Sequence, residues 1–301
     1  MPILCALVGA TGVGKTKLSL MLSREFHAEI ISMDSRQIYR GFRIGTAQPS
    51  AEELRLAVHH LVDFFSPTQN FSAGEFVCRV KKLLNENPKT PYILVGGTGM
   101  YLQALTEGLA EIPQVDEGVR KECENYLLNN GVNALYERVK KWDAETAACV
   151  SPQDQQRLLR ALEVYVQTGR KFSEIRRERR GGIGAVKTFW LDRLRTTLYE
   201  RIDQRVLNMI ENGWKEEVTH LLETVPLSAP AWQSLGYKEW VECIQGRLSE
   251  RELVEIVQKG SRHYAKRQIT WFRNQTRAEK VDLDAELESS FQKIAQKIAD
   301  R

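Results

Sequence analysis

The amino-acid sequence predicts an α/β protein: a P-loop NTPase-like parallel sheet core with helices on both faces, plus an all-helical insertion. Three observations predict it. Residues 9–16 read Gly-Ala-Thr-Gly-Val-Gly-Lys-Thr, a G-x-x-x-x-G-K-T loop set between an apolar run and a helical pattern. Short apolar runs then alternate with helical periodicity, which implies a parallel sheet. Between Asp116 and Arg180 the strand signal stops and only helical patterns remain.

Each element follows in order. Residues 3–8 (Ile-Leu-Cys-Ala-Leu-Val) form an apolar run fit for a strand buried on both faces. Leu18, Met21 and Leu22 fall at helical spacing, so a helix opens at the loop and covers 15–26. Further strands are predicted at 29–32, 92–95 and 187–191, with helical patterns between the first three strands. Ser151-Pro152 reads as a helix start with Pro in the first turn, and Thr168-Gly169 as its stop. Gly181-Gly182-Ile183-Gly184 reads as a linker. The chain therefore divides into a core, 1–115 and 186–301, and an insertion, 116–185. After residue 195 helical patterns run on, and Asp284–Arg301 is expected as a terminal helix with Asp284 at its N-terminal end.

Composition narrows the class. The 301 residues are 42% hydrophobic and 27% charged, as in an ordinary globular protein. No apolar run approaches the roughly 18–20 residues of a membrane span. No basic leader precedes the first strand, so a cytoplasmic protein with no membrane partner is expected. Cys5, Cys78, Cys123, Cys149 and Cys243 are widely spaced and lack a C-x-x-C pair. They argue against a zinc site or disulfide framework, and each reads as a small buried hydrophobe. Nothing in the sequence calls for an obligate dimer, so a monomer is expected. Net charge is only +4, but Lys259–Lys280 holds seven Lys/Arg and one acid, and Ser151–Arg180 holds eight against four. Two cationic clusters in a nearly balanced chain point to a polyanion, and each taken alone also fits a solvated face.

The candidate chemistry begins at the loop. Its backbone N–H groups, from Gly9, Ala10, Thr11, Gly12, Val13 and Gly14 on to Lys15 and Thr16, form a phosphate cradle. Lys15 supplies a point charge for a terminal phosphate, and Thr16 a hydroxyl for Mg²⁺. A phosphate-hydrolysing motor or switch also needs an acid after a second apolar strand. Here 92–95 runs into Gly96-Gly97-Thr98-Gly99, with no acid, whereas 29–32 leads to Asp34. In a parallel sheet that carboxylate lies on the same edge as the loop. Three roles stay open for Asp34: Mg²⁺ partner, general base, or helix N-cap. Thr98 either faces the site or sits in a glycine-rich turn without a ligand. On a helix, Lys259, Arg262, Lys266 and Arg273 share one face, with Leu253, Ile256, Val257 and Tyr264 free to bury elsewhere. Arg157 and Arg160 lie three apart on a helix whose other face carries Leu158, Leu162 and Tyr165.

These residues resemble the tRNA dimethylallyltransferases (tRNA isopentenyltransferases) in their compact bacterial form. The resemblance rests on Gly9–Thr16, Asp34–Gln37, Ile44–Pro49, His59–Asp63, Gly96–Tyr101, Gln156–Glu163, Leu198–Arg205, Leu235–Glu239 and Lys266–Arg273. Ala10 stands where the family usually has Pro, and Gln48 where it usually has Lys. The resemblance implies transfer of a dimethylallyl group from dimethylallyl diphosphate to N6 of adenosine-37 in tRNA, with Mg²⁺. It implies diphosphate on Gly9–Thr16, Mg²⁺ on Thr16, and catalytic roles for Asp34, Lys15, Thr16, Thr98 and Arg120. It further implies tRNA contacts from Asp34, Ser35, Arg36, Gln37, Thr98 and Arg120. Gln156, Arg157, Leu158, Leu159 and Arg160 join them from the insertion, which would grip the anticodon stem-loop. Gln233, Ser234, Leu235, Gly236, Tyr237, Lys238, Lys266, Arg267, Gln268, Ile269, Thr270, Trp271, Phe272 and Arg273 complete the set. Against this stand a P-loop kinase of a small nucleotide, a prenyltransferase of free AMP or ADP, and a pure RNA-binding module. The two basic clusters argue against the mononucleotide substrate, and the intact loop argues against a module without catalysis.

Overall fold

The computed structural model describes residues 2–112 and 114–300; the outer ends of the expected core span, residues 1 and 301, lie outside the described residues. The chain opens with β1 (Ile3–Gly9), crosses the glycine loop and enters α1 (Lys15–Phe26). It continues through β2 (Glu29–Met33), α2 (Ala51–Leu56), β3 (His59–His60), α3 (Ala73–Glu86), β4 (Tyr92–Gly96) and α4 (Gly99–Glu107). Next come β5 (Gly108–Ala110), α5 (Glu117–Trp142), α6 (Ala144–Cys149), α7 (Gln155–Thr168), α8 (Phe172–Arg177) and β6 (Arg179–Gly181). The last part holds β7 (Thr188–Asp192), α9 (Arg195–Glu211), α10 (Trp214–Thr224), α11 (Tyr237–Ile244), α12 (Glu250–Gln275), β8 (Glu279–Asp282) and α13 (Leu287–Ala299).

A six-stranded sheet runs β3-β2-β4-β1-β7-β8, with every neighbouring pair parallel. β1 lies inside it, with Leu7 opposite Val95 on one side and Phe189 on the other. Cys5, Ala6, Leu7 and Val8 are buried in succession, so helices cover both faces. One core joins Leu7, Ile93 and Phe189 to Leu18 and Leu22 of α1, Leu198 of α9, and Ile294 and Ile298 of α13. A second core gathers Phe42, Trp214, Trp232, Tyr237, Trp240 and Leu253 around α10, α11 and the start of α12.

The edge strands β3 and β8 escape the sequence reading. β3 is two histidines, and in Glu-Lys-Val-Asp of β8 only Val281 is buried, so neither carries an apolar pattern. Asp284 does not begin the last helix, which starts at Leu287. Its carboxylate instead accepts from the Leu194 backbone N–H and pairs with Arg193.

Two compact units result: a larger one, interrupted at Gln103 and resumed at Ala185, and a smaller one, Ala104–Gly184. The smaller unit starts earlier than residue 116 and is not purely helical. β5 pairs antiparallel with β6, Leu109 opposite Arg180, so the expected linker begins as a strand. Its core packs Cys123, Leu135, Val139 and Leu158. α7 starts later than Ser151-Pro152, because Asp154 is its cap and its carboxylate accepts from Arg157 N. Gly169 ends it at φ +70°, as Thr168-Gly169 suggested. All five cysteines are free thiols, and Cys78 and Cys149 are exposed, so they do not serve as buried hydrophobes.

Candidate active site

The glycine loop follows from the geometry on either side of it. At Gly12 and Gly14 φ is +78° and +116°, values that L side chains rarely adopt, so the chain needs glycine to turn from strand to helix. The turn aims the first N–H groups of α1 at a common point, where the helix dipole favours an anion. Lys15 Nζ donates to Gly9 O and Ala10 O, both at 2.9 Å. Burial lowers the Lys15 pKa to about 8; the Asp34 carboxylate pulls it back up, and the Arg205 guanidinium pushes it further down. Thr16 lies in the first turn of α1 and is exposed.

Asp34 and Thr98 meet because β2 and β4 are neighbours, with Met33 opposite Gly96 at their carboxyl ends. Thr98 N donates to Met33 O at 3.2 Å, and Ser35 N donates to Thr98 Oγ1 at 3.2 Å. Asp34 Oδ1 accepts from Arg36 N at 2.8 Å and Gln37 N at 3.3 Å. It therefore closes a tight turn; the next helix opens only at Ala51, so the N-cap role falls away. Among the described residues Oδ2 has no hydrogen-bond partner. Burial and the nearby Asp34 charge both push the Tyr101 and Tyr264 hydroxyls up, which keeps them protonated as donors. Gln48 secures the chain after the turn by donating to Gln37 O and Tyr39 O at 2.9 and 3.0 Å.

Several loop supports come from far along the chain. Gln268 is buried; it accepts from Thr11 N at 2.8 Å and donates to Gly97 O at 3.0 Å, tying the glycine loop to the turn after β4. Arg205 Nη1 donates to Thr11 Oγ1 at 2.7 Å, Arg201 Nε to Gly12 O at 3.0 Å, and Arg193 Nε to Val13 O at 3.3 Å. The arginines were not singled out from the sequence. The usable signal was the spacing of four between Arg201 and Arg205, which puts both on one face of α9.

A cavity of about 110 Å³ lies beside Asp34. Thr11, Arg205, Arg36 and Asp34 line it, with Gly45, Thr46, Ile202, Val206, Met209, Trp214, Ser234, Leu235, Val257, Ser261 and Tyr264. Its 43–46 wall hangs on Glu217, whose Oε2 accepts from Arg43 N at 3.0 Å and Ile44 N at 2.8 Å. Tyr237 Oη donates to Glu217 Oε1 at 2.6 Å and accepts from Gly45 N at 3.1 Å. Burial raises the Glu217 pKa above its ordinary value, and these hydrogen bonds oppose the rise.

The structure sorts the remaining sequence-predicted residues by exposure. On α12, Lys266, Arg267, Thr270 and Arg273 are exposed, Ile269 and Trp271 half-buried, and Phe272 buried. A Cβ added to Gly99 would stand 2.0 Å from the Trp271 ring, so Trp271 seats the start of α4. Ile256, expected to bury, is 43% exposed. Arg262 pairs with Asp203 and Lys280 with Asp192, which reduces the free basic face. Gln233, Leu235 and Lys238 are exposed, whereas Ser234, Gly236 and Tyr237 are buried. Arg120 and Gln156–Arg160 lie in the smaller unit. There Arg160 Nη1 donates to the buried Glu163 at 3.1 Å and Arg120 Nε stands 4.0 Å from it. Gln156, Arg157 and Tyr165 are exposed, Leu159 is half-buried and Leu158 is fully buried.

Among the described residues no group of three His, Cys, Asp or Glu side chains could hold a metal by itself. Mg²⁺ usually keeps several waters and binds through one or two protein oxygens plus substrate phosphates. The exposed Thr16 hydroxyl at the mouth of the cradle fits an ion of that kind.

Strand, glycine loop and helix, with a carboxylate at the same sheet edge two strands away, define a P-loop protein whose cradle fits a phosphorylated ligand. The chain belongs to the IPP transferase family, whose model matches residues 37–275. It is 41% identical over 278 residues to tRNA dimethylallyltransferase 1 of Syntrophotalea carbinolica, covering 90% of this chain and 88% of that protein. The crystal structure of the tRNA isopentenylpyrophosphate transferase from Bacillus halodurans superposes with a TM-score of 0.71 and 35% identity, over 99% of this chain and 95% of that one. A eukaryotic dimethylallyltransferase described as acting on tRNA superposes with a TM-score of 0.78 and 25% identity, over 99% of this chain and 78% of that chain.

Proposed function

We propose that this protein transfers a dimethylallyl group from dimethylallyl diphosphate to N6 of adenosine-37 in the tRNA anticodon loop, releasing diphosphate. The observation that carries the reading is the unpartnered Oδ2 of Asp34 beside the phosphate cradle. The carboxylate is near enough to shift the titration of Lys15 and Arg205, one in the cradle and the other bonded to it.

In the reaction, the N6–C1 bond forms as the C1–O bond to diphosphate breaks, and the leaving oxygen keeps the electron pair. Lys15, the loop N–H groups and Arg205 stabilise the charge that grows there. Asp34 takes the proton from N6 through Oδ2, while Oδ1 stays committed to the turn. Thr98 and Tyr264 hold the approach to that carboxylate. Thr16 would hold Mg²⁺ together with the diphosphate, and the ion would supply further neutralisation of the leaving group. Lys266, Arg267 and Arg273 on α12, with Arg120, Gln156 and Arg157 in the smaller unit, offer exposed groups for tRNA. Among the described residues no helix is long and apolar enough to cross a membrane. We take the enzyme to act in the cytoplasm as a monomer, which sedimentation of the free protein checks.

The test separates the two oxygens of Asp34. Asp34→Asn keeps an acceptor for Arg36 N and Gln37 N but cannot act as a base, so turnover falls by about 10²–10⁴-fold with the fold intact. The product is read as a mass gain on adenosine after incubation with dimethylallyl diphosphate and unmodified tRNA. Wild-type turnover in Asp34→Asn removes the base assignment. ADP formation from ATP and a nucleoside, with no mass gain on tRNA, would instead make the protein a kinase.

A further inference from the structure

We infer that Glu163 is a positioning residue for tRNA: its buried carboxylate gathers the guanidinium groups of Arg120 and Arg160, from two helices, into one site for an RNA phosphate. This rests on the tRNA substrate proposed above. Glu163 lies in the buried stretch of α7 that also holds Leu158, Ala161, Leu162 and Val164. It is itself 6% exposed. A carboxylate is rarely buried unless it is paired, because an ionised group that leaves water alone pays a large desolvation cost. The two oxygens of Glu163 are divided between two arginines. Oε2 accepts from Arg160 Nη1 at 3.1 Å, about one turn back on α7. Oε1 stands 4.0 Å from Arg120 Nε, near the start of α5.

Other arginines of the smaller unit are paired differently. Arg157 pairs with Asp154, Arg170 with Glu178, Arg177 with Glu145 and Arg179 with Glu107, each with its own acid. At Glu163 one negative charge faces two positive ones. The acid is buried, whereas the side chains of Arg160 and Arg120 are 35% and 53% exposed. The carboxylate therefore draws both guanidinium groups towards one point and leaves part of each to solvent. At 4.0 Å Arg120 is held by charge without a hydrogen bond, so it can turn onto a ligand. Helix packing has other ties. Asp116, one turn before Arg120, is joined to Gln167, one turn after Glu163: Asp116 N donates to Gln167 Oε1 and Gln167 Nε2 donates to Asp116 Oδ2, both at 3.2 Å. Cys123 of α5 shares a core with Leu158 and Leu162 of α7. What Glu163 adds is the placing of two charges that would otherwise repel. Guanidinium forks match phosphate oxygens, and the exposed Gln156 and Arg157 at the start of the same helix extend the surface.

The experiment uses the full-length enzyme with dimethylallyl diphosphate and an anticodon stem-loop, and compares wild type with Glu163→Gln, which keeps the shape and removes the charge. Bulk charge and positioning predict opposite signs. Removing a negative charge beside two cations raises the local positive potential, so charge alone would lower KM for the RNA. Positioning predicts that KM for the RNA rises by about tenfold, with KM for dimethylallyl diphosphate within about twofold of wild type. A second arm repeats the change in an Arg120→Gln background. There Glu163→Gln is expected to raise KM for the RNA by no more than about threefold, since one of the two groups it places is gone. A role in packing alone gives the same loss in both backgrounds. If Glu163→Gln does not fold, Glu163→Asp, which draws the carboxylate back by one methylene, carries the same cycle. A KM for the RNA that falls or stays unchanged when Glu163 is replaced overturns the inference, and so does an equal rise in both backgrounds. Either result leaves the proposed function standing, because transfer by the wild-type enzyme is read in the same assay. Absence of that transfer overturns both.

Discussion

Lys15 titrates well below the usual range of a lysine. Its folded pKa is about 8 against 10.5 for a free lysine, with burial the largest cause. The unfolded chain therefore holds more protons than the folded one between about pH 8 and 10.5, and Lys15 makes the apo-protein more stable as pH rises through that window. In the proposed reaction its effect runs the other way, because the diphosphate would need the ammonium. kcat/KM for the diphosphate should fall above about pH 8, while the alkaline limb of kcat lies higher because bound diphosphate restores the Lys15 pKa. Lys15→Arg should lose that limb at reduced rate, since a guanidinium stays charged. An alkaline limb unmoved in Lys15→Arg would assign it to another group. Reading the sequence was enough to find Lys15, because the loop pattern names it. It could not give the pKa, which depends on burial and on Asp34 and Arg205 brought close by folding.

At the scale of elements, legibility follows sequence distance. β1, the loop and α1 are contiguous and carry their own periodicity, so they were readable. β3 and β8 sit at sheet edges and hold few apolar residues, so the sheet looked narrower than it is. Gln268 shows the limit most sharply: its partner Thr11 lies 257 residues away, and inside a cationic, aromatic segment it read as a tRNA contact. Gln268→Ala should leave Thr11 N and Gly97 O without this partner, at about 1–3 kcal/mol for each buried group left unsatisfied. Urea denaturation checks that loss. Because the same bond sets the loop, KM for the diphosphate should rise in parallel. A stability loss with unchanged KM would limit Gln268 to packing. Gly99→Ala tests the same seam from the other side, since its methyl cannot coexist with Trp271 where the ring now stands.

Charge is a property of the whole molecule, and here the bulk number misleads in both directions. A net +4 is too small to attract nucleic acid strongly, yet seven Lys/Arg within Lys259–Lys280 look like a dense patch. The fold reduces that patch: Arg262 pairs with Asp203 and Lys280 with Asp192, and what stays exposed of it on α12 is Lys259, Lys266, Arg267 and Arg273. Arg267 also lies over the Tyr264 ring at 5.6 Å, which limits its freedom. If these side chains hold tRNA phosphates, affinity should fall with salt by about 0.7–0.9 log units per log unit of salt for each phosphate neutralised. Changing Lys266, Arg267 and Arg273 to Gln one at a time should lower that slope by about one unit each. Arg262→Gln should cost fold stability and leave the slope nearly unchanged, because its charge is already spent on Asp203. Fluorescence anisotropy of an anticodon stem-loop, titrated at several salt concentrations, measures both. Equal slopes for the Lys266 variant and the wild type would mean that this helix face is solvated and that the tRNA is held elsewhere.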